Sequence, residues 1–402
     1  RSSDLNACVI GLGYVGLPIL INLSKKFKTI GYDINKQRID DLKKGKDLFN
    51  EFRKKELKKN KINFTNSIDL IKKSNLFIIT VPTPINKKKQ PDLTHLKDVC
   101  NKLSKIIKKK DIIIFESTVY PGLTNDFCIP LIEKNNNLKE GVDFYVGYSP
   151  ERVNPGDKNH TLKNINKILA YPHNYLKKEL IKVYSLISKK IILSKNISEA
   201  ETAKVIENIQ RDVNIGLINE FYLVCKRLNL DFNNVINLAS SKWNFIKFKP
   251  GLVGGHCLPV DPYYFSFISK KNNYNTKITL AGRTTNNLMT TIVKKEISEK
   301  LKKIDPQKDK KILFCGLTYK KNVSDLRNSL ALKIFQSLKK NNKKIKGYDP
   351  TLNNLISKKN NLIISSKEFK SFDIYIIATN HSIISRNLKK LNKNKTIINI
   401  LD

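Results

Sequence analysis

A strand that runs into Gly11-Leu12-Gly13-Tyr14-Val15-Gly16 and passes straight into an apolar helix constrains this chain more than any other feature. Ala7-Cys8-Val9-Ile10 reads as a short buried strand, and the helix is expected to begin near Leu17. A second strand, Thr29-Ile30-Gly31-Tyr32, ends at Asp33, seventeen positions past Gly16. In that setting the spacing has a mechanism. Gly11 permits the tight turn, Gly13 lets backbone approach a pyrophosphate, and Gly16 allows close packing of helix on strand. The helix N-terminus then faces the phosphates, with Tyr14 and Val15 in the same turn. Asp33 is placed to accept from ribose hydroxyls, which favours NAD over NADP. Arg38 is the nearby cation for a 2′-phosphate, and a glycine turn without any ligand is the plain alternative.

Further strand-like runs follow at Leu76–Val81, Ile112–Phe115 and Phe144–Gly147, each trailed by a loop with Pro or Gly. Such alternation of strand and helix argues for a doubly wound sheet. From about Ser198 to Leu301 the pattern is helical. Its first stretch, Glu199 to Leu228, has no Pro and only Gly216 as an internal glycine. Its apolar residues extend beyond one face, so it is expected to bridge two domains and build a dimer face. The last segment repeats the first in outline. Lys311–Gly316 is a strand ending in Gly, a helix follows from about Leu330, and Lys344–Tyr348 ends at Asp349. Ile374–Ala378 and Thr396–Ile400 read as two more strands. At 402 residues the chain is too long for one ordinary core. The expected fold class is α/β: two Rossmann-like doubly wound parallel-sheet domains, residues 1–197 and 302–402, joined by a central helical dimerisation domain, residues 198–301.

The formal net charge of +40 invites a nucleic-acid reading. The lysines, however, are spread as doublets and triplets beside Asn and Ile, as in Lys87-Lys88-Lys89 and Lys108-Lys109-Lys110. No basic cluster is interleaved with aromatics, and no zinc-finger or helix-turn-helix spacing occurs. A solvated surface that attracts anionic substrates over long range is the better account. No apolar run approaches the roughly 20 residues of a membrane helix. The segment Arg1-Ser2-Ser3-Asp4 shows no apolar signal stretch, so a cytoplasmic protein with no membrane partner is expected. Six cysteines show neither CxxC nor metal-ligand spacing, and no metal is expected. Five lie in apolar strand or helix patterns, as small buried hydrophobes do.

Cys257 does not. It sits in Phe248-Lys249-Pro250-Gly251-Leu252-Val253-Gly254-Gly255-His256-Cys257-Leu258-Pro259-Val260-Asp261. A cysteine among glycines and prolines is not packing a core. Gly254 and Gly255 would remove side chains so that a substrate reaches the sulfur, and Asp261, four residues on, is placed to activate water. His256 reads as structural rather than as a base. Lys204, Asn208 and Arg211, spaced by four and three, fall on one helical face. Asn is a poor helix former, and an amide beside a lysine suits a developing oxyanion.

With these residues in place the chain resembles the UDP-glucose/GDP-mannose dehydrogenase family over nearly its whole length. The matching motifs are Gly11–Pro18, Val81–Pro84, Glu116–Gly122, Tyr148–Asp157, Lys204–Asn214, Lys249–Tyr264 and Gly316–Ser329. Glu207–Asn214, Ser241–Phe245 and Leu280–Arg283 are most similar to the UDP-N-acetylhexosamine 6-dehydrogenases of bacterial capsule and O-antigen synthesis, the Vi-antigen type. The resemblance implies that a hydride leaves carbon 6 of the sugar to give an aldehyde, which the Cys257 thiolate captures as a thiohemiacetal. A second NAD takes another hydride to leave a thioester, and water releases the carboxylate. A thiolate is nucleophilic near neutral pH, the more so beside a cation such as Lys204. Lys204 and Asn208 would stabilise oxyanions. Asp261 would position or deprotonate water, with Glu151 and Thr118 assisting the water and proton steps. Thr83, Thr118 and Arg327 would touch the dinucleotide. Ile246, Lys247, Phe248, Lys249 and Pro250, with Gly254 and Lys320, would touch the nucleotide sugar. Glu151, Arg152, Arg211 and Arg283 complete the implied substrate set, Arg283 by reaching a neighbouring subunit's site in a homodimer.

The chain departs from the family pattern in places. Pro155 stands where many relatives have a second glutamate. Thr284-Thr285-Asn286-Asn287 replaces the usual ending after the arginine, and Leu258-Pro259 replaces the Ile-Gly common in the Vi-antigen type. UDP-glucose, UDP-ManNAc and GDP-mannose stay open as alternative substrates. A two-electron β-hydroxyacid-type dehydrogenase would share the dinucleotide turn and the Lys204–Asn208 helix but have no use for Cys257. A non-catalytic basic binding protein would rest on charge alone.

Overall fold

Most sheet strands of this chain are short runs of Ile, Val, Leu and Phe with little polar alternation, the pattern of strands covered on both faces. The computed structural model describes residues 5–48, 52–59, 62–152, 162–352, 362–363, 366–392 and 394–401. The chain divides into two units, Arg1–Glu207 with Tyr263–Tyr274, and Asn208–Pro262 with Asn275–Asp402.

In the first unit β1 (Asn6–Ile10), β2 (Lys28–Tyr32), β3 (Asn63–Thr65), β4 (Leu76–Ile79), β5 (Ile112–Phe115), β6 (Tyr145–Tyr148), β7 (Asn166–Ala170) and β8 (Lys190–Ser194) form one sheet. Their order is β3-β2-β1-β4-β5-β6-β7-β8. Pairing is parallel throughout except between β6 and β7. Chain order reverses between β1 and β4, and a doubly wound sheet opens a ligand crevice beyond the strand C-termini at such a point. On one face Val9, Ile78 and Ile114 pack with Leu17 and Leu20 of the helix Gly16–Leu23. On the other, Cys8, Phe77 and Ile113 are fully buried too.

The second unit carries β9 (Ile312–Cys315), β10 (Ile345–Tyr348), β11 (Leu362–Ile363), β12 (Ile374–Ile377) and β13 (Thr396–Asn399), all parallel, in the order β11-β10-β9-β12-β13. This repeats the first five strands of the other sheet. Ser329 begins the helix Leu330–Asn341, its hydroxyl accepting from the Leu332 amide. Tyr222, Met289, Val293 and Ile297 from two long helices share a core with Ile312, Phe314 and Ile376.

The expected strands are present within a residue or two. β4 stops at Ile79 because Thr80 turns its hydroxyl onto the Gly11 carbonyl, 2.6 Å away. β3, β7, β8 and β11 have no counterpart in the sequence reading, since β3 and β11 hold at most two apolar residues and the three-residue apolar runs of β7 and β8 each begin beside a lysine. The helix Ile197–Arg227 buries Val205, Ile209, Ile218 and Tyr222 and carries buried polar residues among them. Its inward residues include Glu201, Lys204, Asn208, Asp212 and Asn219, none above 6% exposed, while Leu217, Phe221 and Val224 lie 42–48% exposed. Among the described residues no helix is long and apolar enough to cross a membrane.

Candidate active site

The glycine turn between β1 and its helix is built as the spacing requires. Gly11 has φ +96°, and a side chain there would press on the Thr80 carbonyl at the end of β4. A Cβ at Gly16 would collide with the Gly11 carbonyl, whereas one at Gly13 would meet no atom within 4 Å. Two glycines are thus demanded by packing, and the third leaves room for a phosphate at the helix N-terminus. Tyr14 and Val15 are half-buried in the same turn. Asp33 Oδ2 accepts from the Leu12 amide at 2.8 Å and Oδ1 from the Asn35 amide at 2.9 Å. A carboxylate offers about four lone-pair sites, so Asp33 keeps acceptor capacity for ribose hydroxyls. These residues fit NAD. Arg38 does not stand open to a 2′-phosphate: it is buried, donates through Nε to the Leu12 carbonyl at 2.9 Å and pairs with Asp47 at 2.9 Å. It braces the turn.

Beside this cradle the loops after β4 and β5 are stitched together. Thr83 donates to the Thr118 carbonyl at 2.6 Å and Ser117 to the Val81 carbonyl at 2.7 Å. The Tyr264 hydroxyl donates to the Thr83 carbonyl at 3.0 Å. Glu201 then fastens the turn after Thr118 to the long helix. Its carboxylate accepts from the amides of Gly122 and Thr124 and from the Thr124 hydroxyl, at 2.6, 3.0 and 2.6 Å. Burial pushes Glu201 up to about 7 against those hydrogen bonds. Lys204, one turn further on, is buried.

Glu151 follows β6, and Lys167 Nζ lies 3.7 Å from its Oε2. Arg152 turns away: Nε donates to Glu207 at 3.0 Å and Nη1 to the Asn166 carbonyl at 3.1 Å. The rest of that motif, with Pro155, lies outside the described residues.

In the second unit Cys257 is exposed while the other five cysteines are buried. The amides of Val260 and Asp261 donate to its carbonyl at 2.9 and 3.0 Å, so the thiol sits on a tight turn at the start of the helix Asp261–Lys271. Asp261 is 1% exposed and accepts from Asn208 Nδ2 at 2.5 Å. The amide and the carboxylate singled out for oxyanion and water chemistry therefore act as one hydrogen-bonded pair. Arg211, expected on their face, is exposed. The glycine pair before the cysteine has a role the sequence reading missed. Gly255 has φ +91°, and side chains at Gly254 and Gly255 would run into the Asn328 carbonyl and the Tyr319 ring. These glycines dock the thiol loop onto the 316–329 motif. Burial, with the charges of Asp325 and Cys257, pushes the Tyr319 hydroxyl up to about 12.

The stretch Ile246–Pro250 is irregular, with Ile246 71% exposed, and Lys247 donates to Asn237 at 3.2 Å. It is anchored just beyond its end, where Asn219 exchanges hydrogen bonds with both the amide and the carbonyl of Gly251. Asn219 also donates to Asn286, which donates to Asp212, whose carboxylate receives Arg283 Nη1 at 2.6 Å. Arg283 is 1% exposed. Within the chain its guanidinium is engaged by Asp212, and through Asn286 and Asn219 this network supports the loop at Gly251. Burial pushes Asp212 up to about 6 despite Arg283. Lys320 is half-buried, and exposed Arg327 is held by Asp325 through paired hydrogen bonds.

Asp349, after β10, is the counterpart of Asp33 after β2. It accepts from the amides of Leu317 and Thr318, but His381 Nε2 also lies 3.1 Å from its Oδ2. His381 Nδ1 accepts from the Asn322 amide, so Nε2 carries the donated proton. The position that would take a ribose is filled by the protein's own imidazole.

Comparison with known proteins agrees with this geometry. Residues 5–188, 198–288 and 313–401 match the NAD binding, central and UDP binding domains of the UDP-glucose/GDP-mannose dehydrogenase family. The chain is 42% identical over 383 residues to a UDP-N-acetyl-D-glucosamine 6-dehydrogenase of Salmonella typhi, covering 94% of this chain and 90% of that one. A Pseudomonas aeruginosa protein of the same name is 39% identical, with 98% and 96% covered. The solved structure of a UDP-D-ManNAc dehydrogenase from Pyrococcus horikoshii superposes with TM-score 0.83 at 29% identity over 99% of both chains. The two Rossmann-like sheets, the glycine cradle and the lone exposed thiol thus belong to a member of the UDP-glucose/GDP-mannose dehydrogenase family, an NAD-dependent nucleotide-sugar dehydrogenase.

Proposed function

We propose that this enzyme oxidises carbon 6 of a UDP-N-acetylhexosamine from alcohol to carboxylate in two stages, for synthesis of a surface polysaccharide. The observation that carries the reading is Cys257, the one exposed thiol, on a turn whose next helix opens with Asp261 bonded to Asn208. Bound NAD supplies the hydride acceptor for each of the two oxidations. The chain's own residues handle the rest. The Cys257 sulfur adds to the aldehyde carbon, Lys204 and Asn208 stabilise the oxyanion, and Asp261 orients the water whose oxygen replaces sulfur on release. Glu151 takes part in the proton steps. The names of the Salmonella typhi and Pseudomonas aeruginosa relatives support an N-acetylglucosamine substrate.

Counting NADH formed per UDP-sugar consumed, across a panel of UDP- and GDP-sugars, tests this directly. Two are expected, and a value of one would overturn the four-electron reading in favour of a two-electron dehydrogenase. Cys257→Ser is expected to halt turnover near the first oxidation while NAD binding persists, because a hydroxyl is a far weaker nucleophile at neutral pH.

The same reading includes a homodimer and a cytoplasmic location. Leu217, Phe221, Val224 and Leu288 are exposed on the two long helices, a face suited to a second copy. A required free thiol suits a reducing compartment.

A further inference from the structure

Lys167 is an odd residue for the inside of a strand. Its side chain is fully buried, on β7, the strand that runs antiparallel to β6. That reversal has a consequence for the site. Tyr148 of β6 stands opposite Ala170 of β7. Continuing this register sets Lys167 opposite Glu151, at the end of the sheet where the crevice opens. The ammonium meets three acceptors there. Glu116 Oε2, just past β5, lies 2.5 Å away, the Pro150 carbonyl 3.2 Å and Glu151 Oε2 3.7 Å. Tyr184 donates to the other Glu116 oxygen at 2.6 Å, and its ring lies 5.8 Å from the ammonium. Arg152, the next cation along the chain, faces Glu207. Both oxygens of Glu116 are thus occupied within the cluster, and its side chain, like those of Lys167 and Tyr184, is sealed from solvent. Glu151 is the one carboxylate of the set with an outlet, at 11% side-chain exposure.

We propose that Lys167 is a positioning residue for Glu151, a buried ammonium on a reversed strand that fixes this carboxylate at the mouth of the crevice, where it would accept a proton. Glu116 and Tyr184 in turn fix the ammonium. An opposite charge within about 4–6 Å favours the charged form of a carboxylate. Burial alone would lower Lys167, but Glu116 and Glu151 raise it above the ordinary lysine value, so the cation persists across the working range. Burial pushes Glu116 up to about 7 against Lys167, while the charge of Glu151 adds to the rise.

The inference rests on the reading that Glu151 serves the proton steps. Its test is the pH profile of kcat, with NADH formation from the UDP-sugar as the signal. Lys167→Gln keeps donors and most of the length but removes the charge. It is expected to move the acid limb up by at least about one pH unit. It should lower kcat at pH 7 roughly tenfold or more, with the KM for NAD within about twofold of the parent. Lys167→Arg should return the limb and most of kcat. A buried carboxylate pair without its cation costs folding stability. Should Lys167→Gln not fold, Lys167→Gln made with Glu116→Gln removes both partners, and its acid limb should still lie above that of Glu116→Gln alone. An unmoved limb in whichever pair folds, with kcat lost only in proportion to thermal stability, overturns the proposal. Glu151→Gln, run alongside, separates the two readings. If that variant keeps the parent rate and profile, the assignment of Glu151 fails. If it loses activity while the Lys167 variants keep the parent limb, the positioning role alone fails.

Discussion

Glu201 shows how a single buried carboxylate ties the site to solution pH. It holds the turn after Thr118 against the helix that carries Lys204, and burial raises it from 4.5 to about 7. An acid whose folded value lies above its unfolded one favours folding most fully below the unfolded value. That contribution is lost as pH rises through the folded value. Glu201 therefore stabilises most below about pH 4.5 and loses that advantage by about pH 7, a change of roughly 3 kcal/mol. Gln does not titrate. The Tm of Glu201→Gln relative to the parent should rise as pH is taken from about 5 to 8. A difference in Tm that stays flat over this range would show that Glu201 does not titrate in the folded protein. Asp349 has the opposite sign. Burial raises it, but the hydrogen bonds from His381 and Thr351 outweigh burial and hold it at about 2, so its contribution fades only in acid.

At the scale of elements the two long helices matter most. The helices Ile197–Arg227 and Lys277–Ile304 approach closely enough at Gly216 that a Cβ there would lie 2.8 Å from the Gly282 carbonyl. This contact brings Asp212 within reach of Arg283 and Asn286, and Asn219 within reach of Asn286. Alanine in a helix is intrinsically better than glycine by about 1 kcal/mol. Overpacking against backbone that cannot rotate away costs about 1–3 kcal/mol, and the polar network would be prised apart as well. The clash should win. Gly216→Ala is expected to lower stability by about 2 kcal/mol in denaturant titration and to raise the KM for the sugar through the Gly251 anchor. A variant more stable than the parent would mean that the crossing is loose.

For the molecule as a whole, the long helix buries both polar and apolar residues and leaves part of its apolar surface outward. Exposed Leu217, Phe221 and Val224 on one helix and Leu288 on the other make a surface that water covers poorly. Sedimentation equilibrium is expected to give a dimer for the parent chain. Phe221→Asp should shift it toward monomer at about micromolar concentration, as a charge in a buried interface core would. A parent chain that is monomeric and fully active under those conditions would rule out the subunit interface.

Local chemistry made much of this legible from residues alone. A glycine spacing, a strand-terminal acid and a cysteine outside any apolar pattern each act over a few neighbouring residues. The turn at Gly11–Gly16, the acid Asp33 and the thiol Cys257 were therefore readable, with nine of the strands of the two sheets. What escaped depends on partners far apart in sequence. Arg38 reads as a phosphate ligand until Asp47 and the Leu12 carbonyl are seen to engage it. Gly254 and Gly255 read as access for substrate until the Tyr319 ring fills the space. Lys167 reads as one more lysine in a chain with 75 Lys and Arg. Only the antiparallel placement of β7 buries it between Glu116 and Glu151. Sequence carries the demands of the local backbone, whereas the pairing of buried charges is decided by which strands lie side by side.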